Sequence, residues 1–449
     1  MGSIRRAGEG LALFGCCAAL AFVSAPASAS PAAAAPLHAG KLVGGPALAG
    51  GKVAWAQRSK HVLTVRAAEP GARPQTLGSF TSDSAFTPRA RMAASPTYVA
   101  VERILGDHSN DWRFRDVFAG PPGGPLAALG PHCSLLDARL MPTVDVSGDE
   151  VLYWDCGTDS ATVRSSSSGA SEAIPANDRG LRLAGRYAAW LDDGAGPQAI
   201  VVYDRVEKRV AYEVSRSAVD ASYDLQADGK IAYVDIAGQA REGVTPVHVA
   251  WASPAEPQPH VLPLAPSDSY RVKIVDDRVG FEQERPEARR GELTNLGYVD
   301  IAGGRPHAVV TGGLDEGVGD SQFDFDGKRF AWYSLGCRDA LLRVTAVGSH
   351  ASGLRRHCPL RLRRPPRLSH GRVRVVVDCF GFVECRVPKL TLSLARRVVA
   401  RGSGQSARLT TLGRELARRH AGIRVRVRAT IVDAEGRREQ RSTRVLLGG

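Results

Sequence analysis

The stretch Gly51-Lys52-Val53-Ala54-Trp55 decides the fold, because the chain returns to its pattern about every 46 residues. Each copy begins with an apolar residue, continues with a small or apolar one, and usually follows a turn. The first apolar positions of the seven copies are Val53, Val99, Val151, Tyr187, Ile231, Val279 and Phe330. A fixed period of this length is typical of a repeat architecture.

Within each copy the apolar residues alternate over a short run, which is the pattern of a β-strand. Further short runs follow, separated by clusters of Gly, Pro, Asp and Ser, and no segment of the repeats shows helical periodicity. Seven repeats of three or four strands predict an all-β fold, a seven-bladed β-propeller. We expect the recurring strand to be the innermost strand of each blade. Joining of the last blade with the segment around Leu42 would close the ring and remove exposed sheet edges.

Two alternatives stay open at this point. The spacing of 36 residues between Val151 and Tyr187 is short for four strands, so six or eight blades are also compatible with the sequence. A pair of β-sandwiches would also show short strands at regular intervals.

Two repeats carry a D-G-K turn before the apolar strand. They are Gln226-Ala227-Asp228-Gly229-Lys230-Ile231-Ala232-Tyr233 and Asp324-Phe325-Asp326-Gly327-Lys328-Arg329-Phe330-Ala331-Trp332. Both strings resemble the repeats of TolB-type β-propellers. The resemblance implies the fold and a surface for binding other macromolecules, and it implies no reaction.

The ends of the chain differ from the repeats in composition, which predicts five segments. Residues 1–29 resemble a signal peptide, 30–37 an Ala/Pro-rich tether, 38–348 the propeller, 349–367 a basic linker and 368–449 a separate module. Residues 351–449 contain 24 Lys+Arg and 6 Asp+Glu, against 35 and 40 in the remainder. A mildly acidic body therefore carries a strongly basic C-terminal region.

The N-terminus has the three parts of a secretory signal. Arg5 and Arg6 are followed by an apolar run and by Ala27-Ser28-Ala29, a cleavage pattern. A lipoprotein anchor at Cys16 is disfavoured, because Phe14 is large and the apolar run continues beyond the cysteine. The sequence predicts an exported protein, extracellular or associated with the cell envelope, with no transmembrane segment in the mature chain.

The C-terminal module alternates strictly between Val and Arg. Ile423 to Arg428 and Arg372 to Val375 predict strands with one face in a core and one in water. Thr411 to His420 is the one helix we expect in the mature chain, with Gly422 ending it. The pattern resembles a small Ig-like β-sandwich. Five arginines are candidates for binding a polyanion: Arg372, Arg374, Arg424, Arg426 and Arg428. A coding bias toward G and C explains such Arg usage without any ligand, and both explanations stay open.

Six cysteines outside the signal suggest disulfides in an exported protein. We expect the pairs Cys133–Cys156, Cys337–Cys358 and Cys379–Cys385. No C-x-x-C sequence is present, so a structural metal site is not expected.

The sequence carries no H-E-x-x-H, P-loop or G-x-S-x-G motif, and no cofactor or metal is expected. If the protein is an enzyme, its carboxylates would converge at one mouth of the ring, as in propeller glycosidases. The candidates are Glu102, Asp155, Asp235 and Glu282, each in or just after a recurring strand. Solvated strand ends are the simpler interpretation. Trp55, Trp154, Trp190 and Trp332 would form a sugar-stacking platform if exposed, and inter-blade packing is the favoured role.

The leading hypothesis is a secreted, non-enzymatic binding or scaffold protein. The propeller would engage a protein or glycan partner, and the basic module would attach to an anionic cell-wall polymer. No nucleic-acid partner is expected. The alternatives are an extracellular polysaccharide hydrolase or lyase and a purely structural surface protein.

Overall fold

In the computed structural model, seven antiparallel sheets are arranged as the blades of a β-propeller. The structure describes residues 37–38, 42–106, 112–130, 133–134, 144–156, 158, 160–177, 179–192, 198–215, 222–236, 246–267, 269–284, 293–314, 323–335, 340–352, 360–378, 385–419, 422–433 and 438–447. Within these ranges no helix is long and apolar enough to cross a membrane.

The propeller strands have the following bounds. The first ten are β1 (Leu37–His38), β2 (Leu42–Ala49), β3 (Lys52–Ser59), β4 (Val62–Ala68), β5 (Gln75–Thr81), β6 (Thr87–Ala94), β7 (Val99–Gly106), β8 (Trp112–Gly120), β9 (Ala127–Ala128) and β10 (Cys133–Ser134). The next eight are β11 (Val144–Ser147), β12 (Glu150–Asp155), β13 (Ser160–Ser165), β14 (Ser171–Ile174), β15 (Arg182–Ala184), β16 (Tyr187–Asp192), β17 (Ala199–Asp204) and β18 (Arg209–Ser215). The last are β19 (Tyr223–Leu225), β20 (Ile231–Ile236), β21 (Val247–Ala252), β22 (His260–Val261), β23 (Tyr270–Val275), β24 (Arg278–Glu284), β25 (Leu293–Asp300), β26 (His307–Leu314), β27 (Phe323–Phe325), β28 (Arg329–Leu335), β29 (Ala340–Ala346) and β30 (Ala351–Ser352).

Blades 1 to 6 consist of consecutive strands, and blade 7 combines both ends of the propeller. The blades are β2–β5, β6–β10, β11–β14, β15–β18, β19–β22, β23–β26 and β27–β29 with β1. The first strands of the seven blades contact one another in cyclic order, β27 against β2 included. They are therefore the inner strands around the central channel, and the predicted seven-bladed fold is confirmed.

The recurring strand is not the innermost one, and that prediction was wrong. The seven copies are β3, β7, β12, β16, β20, β24 and β28, the second strand of each blade. A second strand has a partner strand on each side and a neighbouring blade against it. Val53, Ala54 and Trp55 are accordingly fully buried. Complete burial makes this strand the most regularly apolar segment of every repeat.

The N-terminal segment closes the ring. Leu37 and His38 form β1, the outermost strand of blade 7, and Leu37 pairs with Leu342 of β29. Leu37 is therefore a strand residue, although its position in the sequence suggested the tether. The next strand, β2, is the inner strand of blade 1 and packs against β27. The predicted closure near Leu42 thus uses two adjacent strands in two neighbouring blades.

The small residue at the centre of the recurring strand lets the next blade approach closely. A Cβ atom at Gly280 of blade 6 would lie 2.6 Å from the Phe325 ring of blade 7. Ala232 and Ala331 occupy the corresponding position in blades 5 and 7 and are fully buried. Large aromatic residues on the flanking positions then fill the remaining space between blades.

The segment after the propeller adds a strand to blade 6 before the C-terminal module begins. Ala351 and Ser352 form β30, which pairs in parallel with β26. A strand in this position covers the hydrogen-bonding edge of the blade. Part of the stretch predicted as a linker is therefore ordered on the propeller.

The C-terminal module has one large antiparallel sheet. Its elements are β31 (Arg361–Leu362), β32 (Arg367–Ser369), β33 (Arg372–Arg374), β34 (Val377–Asp378), β35 (Cys385–Leu394), β36 (Arg397–Ser403), β37 (Ser406–Leu409), α1 (Thr411–Arg419), β38 (Ile423–Asp433) and β39 (Arg438–Leu447). Seven strands pair in the order β32-β33-β37-β36-β35-β38-β39, while β31 and β34 form a separate pair. Leu412 and Leu416 of the predicted helix pack against the core of this module.

Candidate functional site

Charged side chains of alternating sign occupy the inner strands of the propeller. At one level of the channel, six of the seven inner strands carry a charged residue: Arg91 on β6, Asp145 on β11, Arg182 on β15, Asp224 on β19, Lys273 on β23 and Asp324 on β27. The strands β6 and β23 each carry a second arginine, Arg89 and Arg271. The seventh inner strand, β2, has no charged residue. We call these six residues the channel ring. Opposite charges at this spacing stabilise one another where solvent is largely excluded.

Each aspartate of the channel ring joins its blade to the next one. Its Oδ2 atom accepts a hydrogen bond from a main-chain amide on the neighbouring inner strand. The bonds are Leu183 N to Asp145 (2.8 Å), Ile274 N to Asp224 (2.9 Å) and Leu48 N to Asp324 (2.6 Å). They connect blades 3 and 4, 5 and 6, and 7 and 1. The last of them lies at the closure of the ring.

The cations of the channel ring lie between these carboxylates. Lys273 Nζ is 3.7 Å from Asp224 Oδ1 and 4.0 Å from Asp324 Oδ1, and Arg182 Nε is 3.7 Å from Asp224 Oδ1. Burial lowers the pKa of Lys273, but the two carboxylates outweigh burial and leave that pKa above its ordinary value. Burial raises the pKa of Asp145, and it raises the pKa of Asp324 to about 6 despite the nearby Lys273.

Asp324→Asn is expected to flatten the pH dependence of propeller stability between about pH 4 and pH 7. The folded-state pKa of Asp324, about 6, lies above the ordinary value of 3.8. The folded protein therefore holds this proton more tightly than the unfolded chain does. The resulting stabilisation is complete below about pH 4 and is lost as the pH rises through about 6, a change of order 2–3 kcal/mol.

Urea unfolding of the wild type and the variant at several pH values measures this effect. Asp83→Asn is the matched control, because Asp83 is exposed in a turn. If Asp324→Asn kept the pH dependence of stability that the wild type shows, the raised pKa of Asp324 would be contradicted.

A small cavity lies beside four residues of the channel ring. The cavity at this level, lined among others by Asp145, Arg182, Arg271 and Lys273, has a volume of about 30 Å³. Such a volume holds on the order of one water molecule. Through its hydrogen bonds and ion pairs the channel ring connects the inner strands of neighbouring blades.

The candidate catalytic residues Glu102 and Glu282 are buried carboxylates paired with arginine. Glu102 on β7 lies opposite Arg91 of β6 in register. Its carboxylate oxygens are 3.6 Å from Arg91 and 3.9 Å from Arg115. Glu282 on β24 likewise lies opposite Arg271, at 3.5 Å. Only 2% of Glu102 and 3% of Glu282 are exposed.

Asp155 and Asp235 lie at the ends of their strands in blades 3 and 5, and both are half-buried. Asp155 is the last residue of β12 and lies opposite Ser160. Asp235 Oδ1 accepts a hydrogen bond from the amide of Ile236. The four candidate carboxylates thus belong to four blades and to second strands, one strand away from the channel.

The exposed face of the C-terminal sheet is strongly positively charged. The strand β38 places Val425, Val427 and Ala429 in the core and its arginines in solvent. The exposed sides of β35, β36, β38 and β39 line a groove of about 1410 Å³. Seven cations line this arginine groove: Lys389, Arg396, Arg401, Arg424, Arg426, Arg428 and Arg444. No Asp or Glu occurs among the described residues that line it.

The sequence located part of this surface and missed the rest. Arg424, Arg426 and Arg428 lie in the arginine groove, and Arg372 and Arg374 lie exposed on β33. The sequence pattern did not indicate Arg401, Arg408 and Arg444 as candidates, because Val and Arg alternate less regularly in their strands than in β38. Their exposure and pairing follow only from the sheet. The inner-strand aspartates were missed too, although three apolar-Asp-apolar triplets before recurring strands, such as Phe323-Asp324-Phe325, were a usable signal.

One of the three expected cysteine pairs lies within the described residues. Cys133 of β10 and Cys156 have the geometry of a disulfide, with Cα atoms 5.8 Å apart. Cys337, Cys358 and Cys379 lie outside the described residues, so the other two pairs stay predictions. The tryptophans pack between blades as expected: Trp55, Trp190 and Trp332 are buried and Trp154 is partly buried.

Among known proteins, the chain is similar to solved structures only. No family model and no curated protein matches the chain. The chain is similar to TolB from Acinetobacter baumannii, with 11% identity over 60% of this chain and 81% of that chain and a TM-score of 0.33. It is also similar to the β-propeller domain of the Trilobed protease from Pyrococcus furiosus (9% identity, 81% and 94% covered, TM-score 0.39) and to Pyrococcus horikoshii acylaminoacyl peptidase (9%, 77% and 58%, 0.39). At such TM-scores the similarities carry no argument, and the seven-bladed architecture rests on the strand pairing itself.

Proposed function

We propose that this protein is an exported, non-enzymatic binding protein whose C-terminal sheet attaches to an anionic polymer of the cell envelope. The arginine groove carries this proposal, because seven cations line about 1410 Å³ of open space. Closely spaced like charges create a positive potential that attracts an extended polyanion. The propeller supplies a rigid body that presents a protein or glycan partner surface.

The charge of the groove is available to a partner. Arg424, Arg426 and Arg428 are exposed, and within the described part of the module no carboxylate forms an ion pair with them. Alternate residues of a strand lie about 6.7 Å apart. The three guanidinium groups therefore form a row in which each can bind a different charged group of one extended polymer. A surface arranged only for solubility would mix both signs.

The buried carboxylates support a binding role over a hydrolytic one. Glu102 has two arginines within 4.0 Å and Glu282 has one, and both carboxylates are buried away from open solvent. A general acid in a glycosidase needs an accessible carboxyl group with a raised pKa.

Retention of the full mature chain on anionic cell-wall material tests the proposal. We expect the dissociation constant to rise at least about tenfold between about 0.05 M and 0.2 M salt, because screening weakens each contact. The triple variant Arg424→Gln/Arg426→Gln/Arg428→Gln is expected to lose a similar factor at low salt.

The matched control is Arg73→Gln/Arg305→Gln/Lys328→Gln, which removes three exposed charges from the propeller. This control should bind like the wild type. Retention that is independent of salt, or equal weakening by both triple variants, would rule out attachment through the arginine groove.

A further inference from the structure

Several arginines of the C-terminal sheet stand directly opposite one another in register. The opposed pairs are Arg401 with Arg408, Arg372 with Arg408, Arg426 with Arg444, and Arg367 with Arg374. All of these arginines are exposed. Arg401, Arg426 and Arg444 line the arginine groove. Residues opposite each other share a face of the sheet, so Arg408 and Arg372 lie on the same face as Arg401, and so do Arg374, two residues after Arg372, and Arg367 opposite it.

Opposed arginines are unfavourable for the isolated sheet. Their Cβ atoms lie about 4.5–5.5 Å apart, and like charges at that distance destabilise strand pairing. Within the described residues, no carboxylate forms an ion pair or hydrogen bond with any member of the four pairs. Two pairs form a continuous cross-strand series, since Arg408 of β37 faces Arg401 on one side and Arg372 on the other.

We propose that the opposed arginines select polymers with tetrahedral oxyanions, phosphate or sulfate groups, over polymers with carboxylates. A tetrahedral group directs oxygen atoms to opposite sides, so one group accepts hydrogen bonds from two facing guanidinium groups. A planar carboxylate presents both oxygens along one edge and matches a single guanidinium fork. The inference rests on the proposed function and names the ligand chemistry of the same surface.

The cross-strand series also fits a repeating ligand. Neighbouring strands lie about 4.8 Å apart, so the series Arg401–Arg408–Arg372 presents guanidinium groups at regular steps. One oxyanion between each facing pair accepts hydrogen bonds from both members and lowers the repulsion between them. A linear polymer that crosses the strands places successive oxyanions along this series.

Direct binding of three soluble polymers to the full mature chain tests the inference. The probes are polyphosphate, dextran sulfate and polyglutamate of matched length, at about 0.15 M salt. We expect polyphosphate, dextran sulfate or both to bind at least about tenfold more tightly than polyglutamate. The comparison of polyphosphate with dextran sulfate shows which of the two groups is the natural source.

Two triple variants that each remove three positive charges distinguish the effect of opposed arginines from the effect of total charge. Arg374→Gln/Arg408→Gln/Arg444→Gln removes a member of every opposed pair. The control, Lys389→Gln/Arg424→Gln/Arg428→Gln, removes cations that face Thr430, Leu446 and Ser442. The first variant should lose the preference for tetrahedral groups to within about twofold, and the control should keep it while binding all polymers more weakly.

Three results would overturn the inference. Equal affinity of the wild type for polyglutamate would overturn it and leave polyanion attachment standing. An equal loss of preference in both triple variants would also overturn it. Failure of all three polymers to bind would overturn the inference and the proposed function together.

Discussion

Leu37→Asp is expected to lower the free energy of unfolding of the propeller by about 3–5 kcal/mol. Leu37 is only 8% exposed and packs in one cluster with Trp55 of blade 1 and Tyr333 and Leu342 of blade 7. The substitution removes a buried leucine and introduces a charge with no cation in that cluster. It acts at the closure of the ring, where one short strand completes blade 7.

Urea unfolding followed by tryptophan fluorescence measures the loss, because Trp55 packs in the same cluster as Leu37 and Trp332 lies in blade 7, which β1 completes. Val206→Asp is the control, since Val206 is 71% exposed and should shift the midpoint little. A chain that begins at residue 39 should show a comparable loss, and it should also self-associate through the uncovered edge of β29. Wild-type stability of either altered chain would contradict ring closure by β1.

Glu102→Gln is expected to destabilise the propeller by about 3–5 kcal/mol, because it removes a buried carboxylate charge that lies within 4.0 Å of two buried guanidinium groups. Arg91 and Arg115 are 9% and 6% exposed, so water cannot replace the lost carboxylate. Glu282→Gln should cost less, since its partner Arg271 is 31% exposed. Asp235→Asn, at a strand end, should change stability by less than about 1 kcal/mol.

A double-mutant cycle separates this structural role from a catalytic one. The double variant Glu102→Gln/Arg115→Gln should cost less than the sum of the two single changes, because it removes both members of one buried ion pair. Additive costs, or a Glu102→Gln variant of wild-type stability that loses a measured glycan-cleaving activity, would restore Glu102 as a catalytic candidate.

The recurring strand explains why the fold was predictable and its radial order was not. Val53, Ala54 and Trp55 lie where the chain is buried on every side, so the pattern repeats without interruption. The inner strand borders the channel and has to tolerate charges such as Asp145 and Asp324. Charged residues therefore interrupt the apolar pattern of the inner strands, and these strands do not stand out in the sequence. The fully buried second strand therefore has the clearest pattern in the sequence, and the prediction that this strand is innermost was wrong.

The candidate sites, too, were predictable from the sequence only in part. Alternation of Val and Arg on β38 indicated one face in a core and one in water, and the structure bears this out. Nothing in the sequence shows that Arg408 faces Arg401 and Arg372, because strands that are far apart in the chain meet there. Glu102 looked accessible for catalysis because its two arginines come from neighbouring strands.

The sequence by itself determined the all-β class, the seven repeats and the charged face of the C-terminal module. These properties depend on local periodicity, which every strand carries in its own residues. Only the tertiary structure decided which strand lines the channel, that Leu37 closes the ring, and which charges face one another. Those properties depend on register between distant segments, and no local pattern encodes that register.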